Sequence, residues 1–177
     1  MLKIVALSDT HNNHRQVDLP KTGDVIVHCG DFTNFGKGFD DFLMWFEKAP
    51  QPHKILLLGN HEWTNIKDRR LGEIHPHRIT LLREKGFPPK TTTTIKDHIF
   101  SLPGEDPNAD VVLAHAPPDD LSPNGDISVR AGLAIQQPDL FICGHVHSER
   151  GIFKHTAQTK YINVCCFNGE EPFVEVI

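Results

Sequence analysis

The chain has 177 residues and a formal net charge of −5 at pH 7, and this length lets a single domain bury a core of its own. The acidic balance argues against a protein that grips long nucleic acid by neutralising its phosphates. The opening residues MLKIVALSDT become polar too early for a signal peptide or a membrane-spanning helix, so we expect a cytoplasmic protein without a membrane segment.

Eight short apolar runs predict the strands, because each has strand length and is rich in Val, Ile and Leu. Their hydrophobicity is continuous rather than alternating, which is typical of strands covered on both faces. In chain order the runs are 3–7, 24–29, 54–59, 78–82, 110–115, 139–144, 160–166 and 172–177.

Two segments between these runs predict helices. In 38–50, apolar residues recur at i, i+3, i+4 and i+7, and Pro50 follows the last of them. The segment 128–138 is a weaker helix candidate because Gly132 interrupts it. A third segment, 91–104, predicts a β-hairpin or a sheet edge.

The order of these elements places βα units first and consecutive strands last. This order predicts an α/β fold with two layers of sheet. The sequence shows no internal repeat, low-complexity linker or domain boundary, so we expect residues 1–177 to form one domain.

The four cysteines show no CxxC spacing, and most of them lie within or at the end of apolar runs. This placement favours buried, reduced thiols over a disulfide framework. The four are Cys29, Cys143, Cys165 and Cys166.

Residues able to bind metal follow five of the predicted strands, at the point where each strand ends. Ligands bind at this edge in open α/β sheets. Carboxylate, amide and imidazole donors suit Mn, Fe, Zn, Ni or Co, and the lack of thiolates argues against a structural zinc site. In chain order the candidate ligands are Asp9, His11, Asp31, Asn60, His115, His145 and His147.

Seven ligands are too many for one catalytic metal with an open position, so we expect two divalent metals that share a carboxylate. Asp31 is the candidate bridge because it stands alone after a central strand. His145 and His147 project to the same side if strand geometry persists, and each can then serve a different metal. His61 diverges from its neighbour Asn60 and points towards a substrate.

Two metals about 3.5–4 Å apart form a known arrangement for hydrolysing phosphate esters. We expect a bridging hydroxide to attack phosphorus and an acid to protonate the leaving oxygen. His61 is the candidate for this acid or for a transition-state stabiliser, because imidazole titrates near neutral pH.

Five motifs occur in the order DxH, GD, GNHE, HxPP and GHVH, and together they resemble the calcineurin-like metallophosphoesterase superfamily. The resemblance runs from Asp9 to His147 and implies a two-sheet β-sandwich flanked by helices. It implies one metal held by Asp9, His11, Asp31 and His147, and a second held by Asp31, Asn60, His115 and His145.

More narrowly, the stretches LSDTHNNH, HCGDFTNFG, GNHE, HAPP and YINVCCFNG are similar to the metallophosphoesterase-domain-containing (brain 239-like) branch. Members of that branch are linked to hydrolysis of phosphodiesters, including cyclic nucleotides. The resemblance implies a small phosphoester substrate, with nucleotides among the candidates, and Mn as the first metal to expect. The chain departs from many relatives in having Ala114 before His115 and in lacking a long insertion that could form a cap domain.

Two rival functions stay open on the sequence. One is a non-catalytic scaffold, like the retromer subunit that keeps this fold as a protein-binding surface but lacks the histidine that this chain has at His61. The other is a phosphomonoesterase or nuclease of the same superfamily, although the acidic balance and small size disfavour a nuclease. P-loop, GxSxG and HExxH patterns are absent from the sequence. The sequence therefore gives no support to ATP use, serine hydrolysis or metalloproteolysis.

Five further positions can be interpreted from the sequence. For two of them the sequence leaves two alternatives open. Glu62 either orients a ligand or lies exposed, and His14 either meets substrate phosphate or lies in a solvated loop. Trp63, beside the GNHE motif, is the one aromatic residue we consider as a neighbour of a ligand, and a position away from the ligand is the favoured alternative. His28 reads as a polar group in the core, and 75–77 (HPH) as a surface loop.

Overall fold

The computed structural model describes residues 1–72, 74, 77–83 and 90–177, without the side chains of 68, 69 and 152–155. Within these residues the strands are β1 Lys3–Leu7, β2 Val25–His28, β3 His53–Leu56, β4 Thr80–Leu81, β5 Thr92–Ile95, β6 His98–Ser101, β7 Val111–Leu113, β8 Leu140–Cys143, β9 Gly151–His155, β10 Lys160–Asn163 and β11 Phe173–Val176. The helices are α1 Phe39–Glu47, α2 Asn60–Trp63, α3 Asp68–Leu71 and α4 Ile127–Gln136, with 3₁₀ turns at His14–Gln16 and His147–Glu149.

The strands form two mixed sheets. The first has the order β11-β1-β2-β3-β4, in which β1 to β4 run parallel and β11 is antiparallel at the edge. The second has the order β5-β6-β7-β8-β10-β9, in which β6, β7, β8 and β10 run parallel between two antiparallel edge strands. Each sheet therefore gathers the carboxyl ends of its parallel strands along one edge.

A β-bridge joins the two sheets beside these edges. Ser8, just after β1, pairs in parallel with Cys165, just after β10. The Ser8 N–H donates to the Val164 carbonyl at 3.1 Å, and the Cys166 N–H donates to the Ser8 carbonyl at 2.9 Å. This bridge brings the strand exits of both sheets to the same region of the molecule.

The core lies between the sheets, and each sheet is covered by helix on its other face. On β1, Ile4 and Ala6 point into the cluster shared by both sheets, whereas Val5 and Leu7 point outward into the cluster that contains α1. The outer face of the second sheet packs against α4. Both faces of the central strands are thus buried, as their continuous hydrophobicity predicted, and the two-sheet sandwich flanked by helices is confirmed.

The predicted local elements are found with small changes at their ends. The helix in 38–50 is α1, the helix in 128–138 is α4, and the segment 91–104 contains the antiparallel pair β5 and β6. The run 78–82 contributes only the two residues of β4. All four cysteines are free and buried, which confirms the prediction of core thiols.

Two further findings concern expectations about surface and membrane. In the loop at 75–77, residues 75 and 76 lie outside the described residues. No helix in the described part of the chain is both long enough and apolar enough to cross a membrane.

His28 is buried within β2, as predicted for a polar group in the core. Its Nε2 pairs with Thr10 Oγ1 at 3.2 Å, and its ring lies edge-on to Phe42, with centroids 5.0 Å apart. Because burial disfavours the charged form, the pKa of His28 falls from 6.5 to about 3. The folded protein therefore keeps this imidazole neutral at pH values where the unfolded chain protonates it.

This difference in protonation predicts that the free energy of unfolding decreases as the pH is lowered. Between pH 6.5 and about 3 the unfolded state binds a proton at His28 that the folded state does not. The free energy of unfolding should therefore decrease through this window, by up to about 1.4 kcal/mol per pH unit for this group. Urea unfolding of His28→Gln between pH 7 and pH 4 should show a shallower slope than the parent, whereas His53→Gln, at an exposed histidine, should not. Equal slopes in the parent and His28→Gln would contradict the prediction.

Candidate metal centre

All seven predicted ligands lie just beyond strand ends, three strands from the first sheet and two from the second. Residues 9 and 11 follow β1, residue 31 follows β2, residue 60 follows β3, residue 115 follows β7, and residues 145 and 147 follow β8. Backbone hydrogen bonds hold the first two exits together, from the Asp9 N–H to the Gly30 carbonyl at 2.9 Å and from the His11 N–H to the Asp31 carbonyl at 3.1 Å. Residues spread over most of the chain thus meet at one place.

One set of donors consists of Asp9 and the two histidines next to it. We call Asp9, His11 and His147 the first donor group. Their ligand atoms all lie within 4.8 Å of one another. His147 Nε2 is 3.4 Å from Asp9 Oδ1 and 3.3 Å from His11 Nε2. His11 Nε2 is in turn 3.8 Å from Asp31 Oδ2.

A second set lies on the other side of Asp31; we call Asn60, His115 and His145 the second donor group. Ligand atoms of Asp31, His115 and His145 lie within 4.8 Å of one another. His115 Nε2 is 3.4 Å from Asp31 Oδ1 and 2.9 Å from Asn60 Oδ1. The two oxygens of Asp31 therefore face different donor groups, an arrangement that suits a shared carboxylate.

Asp9 is oriented so that only one of its oxygens is free. Oδ2 accepts hydrogen bonds from the Ser8 hydroxyl at 2.5 Å, the Cys165 thiol at 2.9 Å and the His145 N–H at 2.9 Å. Oδ1 is buried without a hydrogen-bond partner. Burial acts to raise the pKa of Asp9, but His147, whose Nε2 lies 3.4 Å from Oδ1, and the nearby His115 outweigh it and hold the pKa well below the usual range. An ionised, buried and unpartnered oxygen fits a cation.

The tautomer of His115 indicates that the second donor group also fits a cation. Nδ1 lies 2.8 Å from the Cys29 carbonyl, which can only accept, so this nitrogen carries the proton. Nε2 of the neutral ring then presents a lone pair towards Asp31 Oδ1 and Asn60 Oδ1. Burial acts to lower the pKa of His115, but Asp31 and Asp9 raise it above its usual value. When the ring is neutral, three acceptors converge here and a divalent metal fits among them; when Nε2 is protonated, it donates to these oxygens instead.

Two glycines allow the backbone to approach these carboxylates. A Cβ on Gly144 would lie 2.1 Å from Ser8 Oγ and 2.3 Å from Asp9 Oδ2. A Cβ on Gly59 would lie 2.1 Å from Asp31 Oδ1. Any larger residue at either position would push a carboxylate out of place.

His61 lies beside the centre, and its ligand nitrogen lies within 4.8 Å of the ligand atoms of His11 and Asp31. Its Nε2 is 3.9 Å from Asp31 Oδ2, and its ring is edge-on to His11 with centroids 4.5 Å apart. The other side of the ring stacks on Phe35, with centroids 4.0 Å apart and an interplanar angle of 17°. Its backbone N–H donates to Asp31 Oδ1 at 2.9 Å, so the backbone and the imidazole of His61 both lie next to Asp31.

Glu62 is completely buried and holds two of the strand exits together, so the alternative of an exposed side chain is wrong. Oε2 accepts from the Asp31 N–H at 2.8 Å and the Gly59 N–H at 3.0 Å. Oε1 accepts from the Thr33 N–H at 2.9 Å and the Thr33 hydroxyl at 2.5 Å. Burial raises the pKa of Glu62 to about 7 in spite of these donors. This carboxylate orients the loop that carries Asp31.

Other expectations near the centre need correction. His14 neither reaches the centre nor lies in solvent: it is buried, and its Nε2 pairs with Asp41 Oδ2 at 3.0 Å. The strand geometry expected to carry His145 and His147 ends at Cys143, and His145 has a φ of 70°. A left-handed turn, rather than strand alternation, sends the two imidazoles to different donor groups. Trp63, for which the sequence favours a position away from the ligand, lies near the centre, edge-on to His115 with centroids 6.0 Å apart.

Four residues at the centre were not predicted from the sequence. Ser8 and Cys165 hold Asp9, and Phe35 and Phe167 stack on His61 and His147. Cys165 and Phe167 make their contacts through the fold rather than through sequence spacing. Two signals were local: Ser8 directly precedes Asp9, and Phe35 lies in the loop between Asp31 and α1.

Comparison with known proteins gives a consistent family assignment. The family model described as calcineurin-like phosphoesterase matches residues 2–149. The chain is 28% identical over 211 residues to UPF0046 protein K07C11.7 of Caenorhabditis elegans, covering 96% of this chain and 72% of that protein. It is 39% identical over 64 residues to human metallophosphoesterase domain-containing protein 1, covering 35% of this chain and 19% of that protein.

Two solved structures share the fold. The protein of unknown function AQ665 from Aquifex aeolicus matches with a TM-score of 0.50 at 20% identity, over 97% of this chain and 95% of that one. GAP50, the anchor in the inner membrane complex of Plasmodium, matches with a TM-score of 0.55 at 17% identity, over 96% of this chain and 72% of that one. With most of the chain matched by the family model and the motif residues gathered at one edge of the fold, the chain belongs to the calcineurin-like phosphoesterase family.

Proposed function

We propose that this chain hydrolyses phosphodiesters of small molecules with two divalent metal ions, manganese being the first to test. The observation that carries the proposal is the position of Asp31 between the two donor groups, with one carboxylate oxygen facing each. Mixed oxygen and nitrogen donors suit this use, because they bind Mn, Fe, Zn, Ni and Co and leave coordination positions for substrate.

The first metal would be held by the first donor group and Asp31, and the second by Asp31 and the second donor group. Bound there, the two ions would supply an activated water and neutralise charge on the phosphoryl oxygens. The Cys165 thiol donates a hydrogen bond to Asp9 Oδ2, whereas Asp9 Oδ1 faces His147 of the first donor group. Cys165 would therefore orient Asp9 and would not itself be a metal ligand. Burial of Cys165 raises the pKa of its thiol, which keeps the proton needed for this bond.

His61 is the residue we assign to the leaving oxygen. The ligand nitrogen of His61 lies within 4.8 Å of the ligand atoms of His11 and Asp31. The first metal would already have four protein donors, so we leave the imidazole of His61 for the substrate. Its backbone bond to Asp31 and its stack on Phe35 hold the ring next to the centre. From this place it would donate a proton to the leaving oxygen or stabilise charge on that oxygen.

The test is metal analysis of the purified protein together with hydrolysis of bis(p-nitrophenyl) phosphate and p-nitrophenyl phosphate. We expect about two metal ions per chain after loading with Mn²⁺, and a Mn²⁺-dependent rate that is higher on the diester than on the monoester. A higher rate on the monoester would make the chain a phosphomonoesterase. Near-zero bound metal and no metal-dependent rate would instead favour a protein-binding scaffold.

A further inference from the structure

Three aromatic side chains are exposed in the part of the chain that the structure describes, and all three touch the candidate centre. Phe35 is 62% exposed, Trp63 is 60% exposed and Phe167 is 39% exposed. Elsewhere among the described residues, phenylalanine side chains such as Phe32, Phe42 and Phe141 are fully buried. The exposed rings are therefore not scattered over the surface but gathered at one site.

Each exposed ring contacts a different histidine of the centre. Phe35 stacks on His61 at 4.0 Å, and Phe167 stacks on His147 at 4.3 Å with an interplanar angle of 23°. Trp63 lies edge-on to His115, at 6.0 Å and 82°. In both stacked pairs the imidazole covers one face of the phenylalanine ring, so the exposed surface of that ring includes its other face.

The backbone of Phe35 adds a second observation. Its φ of 53° lies in the left-handed region. Glycine, asparagine and aspartate tolerate this region, but it is unfavourable for a bulky residue such as phenylalanine. Backbone strain of this kind persists where surrounding structure maintains it, and it is concentrated at sites that bind ligands. Phe35 thus has a strained backbone and exposes a large apolar ring to water. Both features are expected of a residue that binds a ligand through its ring.

We propose that Phe35, Trp63 and Phe167 form a subsite for a flat ring carried by the ester group of the phosphodiester. This inference rests on the proposed function, because the phosphoryl group must sit between the donor groups for its substituent to reach these rings. Aromatic faces bind flat rings by stacking with little dependence on ring identity. The subsite thus selects substrates by ring shape, whereas the metals select the phosphoryl group.

The experiment compares two diesters with the same leaving group on the Mn²⁺-loaded protein. Benzyl p-nitrophenyl phosphate carries a flat ring on the retained ester, and ethyl p-nitrophenyl phosphate does not. We expect kcat/KM to be about tenfold higher for the benzyl ester, the scale of one stacked ring. A thymidine 5′-(p-nitrophenyl phosphate) that exceeds the benzyl ester would identify a nucleobase as the preferred ring, and a lower rate would identify a simple aryl group.

Leucine variants separate a subsite from a merely supporting role. Phe35→Leu, Trp63→Leu and Phe167→Leu keep apolar volume but remove the flat face, so the benzyl-to-ethyl ratio should fall towards one. Met44→Leu, at an exposed residue on α1, should leave the ratio unchanged. If the three variants lose rate equally on both esters, the rings only hold the imidazoles in place and the subsite is refuted.

A binding measurement distinguishes failure of the subsite from failure of the proposed function. Benzylphosphonate should bind the Mn²⁺-loaded protein about tenfold more tightly than ethylphosphonate and should quench Trp63 fluorescence. If neither ester is hydrolysed but this preference is found and is lost in the leucine variants, the subsite stands and the proposed hydrolysis fails. Equal affinity for the two phosphonates would overturn the subsite.

Discussion

Asp31→Ala should remove both metals and reduce Mn²⁺-dependent diester hydrolysis by at least about 10³-fold. The reason is that Asp31 is the one carboxylate with an oxygen towards each donor group, so neither group keeps a full set of ligands without it. His115→Ala removes a ligand from the second donor group only. We therefore expect its bound metal to fall by about one ion per chain, while its activity is lost to a similar degree because two ions act together.

Metal content by elemental analysis and initial rates measured across a Mn²⁺ titration would check these results. His53→Ala is the matched control, because His53 is an exposed histidine at the start of β3. If Asp31→Ala kept one tightly bound metal, the shared-carboxylate arrangement would be wrong. If either variant hydrolysed the diester at the parent rate, the assignment of the centre itself would fail.

The candidate ligands could be predicted because each follows its strand within a few residues. An apolar run shows where a strand ends, and a polar residue just after it must lie at the edge of the sheet. Asp31 and His115 are both of this kind, although they lie on different sheets. That the two sheets meet at this edge depends on the bridge between Ser8 and Cys165, a pairing of distant residues that local patterns do not show.

The parts that could not be predicted depend on tertiary contacts. The thiol of Cys165 reaches Asp9 across 156 residues of sequence, and no spacing rule predicts that bond. His14 follows the first ligand pair in sequence, yet it turns into the core because Asp41 on α1 offers it a partner there. Burial of Glu62 was open for the same reason, since its four donors come from two separate loops.

The geometry of His145 and His147 shows how a correct placement can have a different physical cause. Alternation along a strand predicted that the two side chains share a side, but β8 ends before either residue is reached. The left-handed conformation of His145 and the following 3₁₀ turn replace the strand. Turn conformation of this kind depends on the neighbouring carboxylate, because the His145 N–H donates to Asp9.

Glu62→Gln should destabilise the fold and weaken metal binding together. The carboxylate accepts four hydrogen bonds on two oxygens, whereas an amide offers one oxygen and a nitrogen that can only donate. Whichever way the amide turns, two donors in a buried site lose their acceptor. We expect the free energy of unfolding to fall by about 2–4 kcal/mol, the range for losing two such bonds.

The metal should be lost by a local route when the amide nitrogen faces Asp31, because Glu62 holds the Asp31 N–H and not its side chain. Releasing that peptide frees the loop and lets the shared carboxylate turn away from the donor groups. Mn²⁺ affinity should therefore fall by about 10–100-fold at a temperature where the variant is still folded, as is typical when a group that orients a ligand is removed.

Thr33→Val provides the graded comparison, since it removes the hydroxyl that donates to Oε1 and accepts from the Gly36 N–H, and it leaves the contact to Asp31 intact. It should cost about 1–2 kcal/mol in stability with a much smaller change in Mn²⁺ affinity. Glu105→Gln, at an exposed loop position, should change neither quantity. Since Glu62 ties Asp31 to the start of α2, a Glu62→Gln protein that unfolds easily but binds Mn²⁺ as tightly as the parent would show that the position of Asp31 does not depend on this carboxylate.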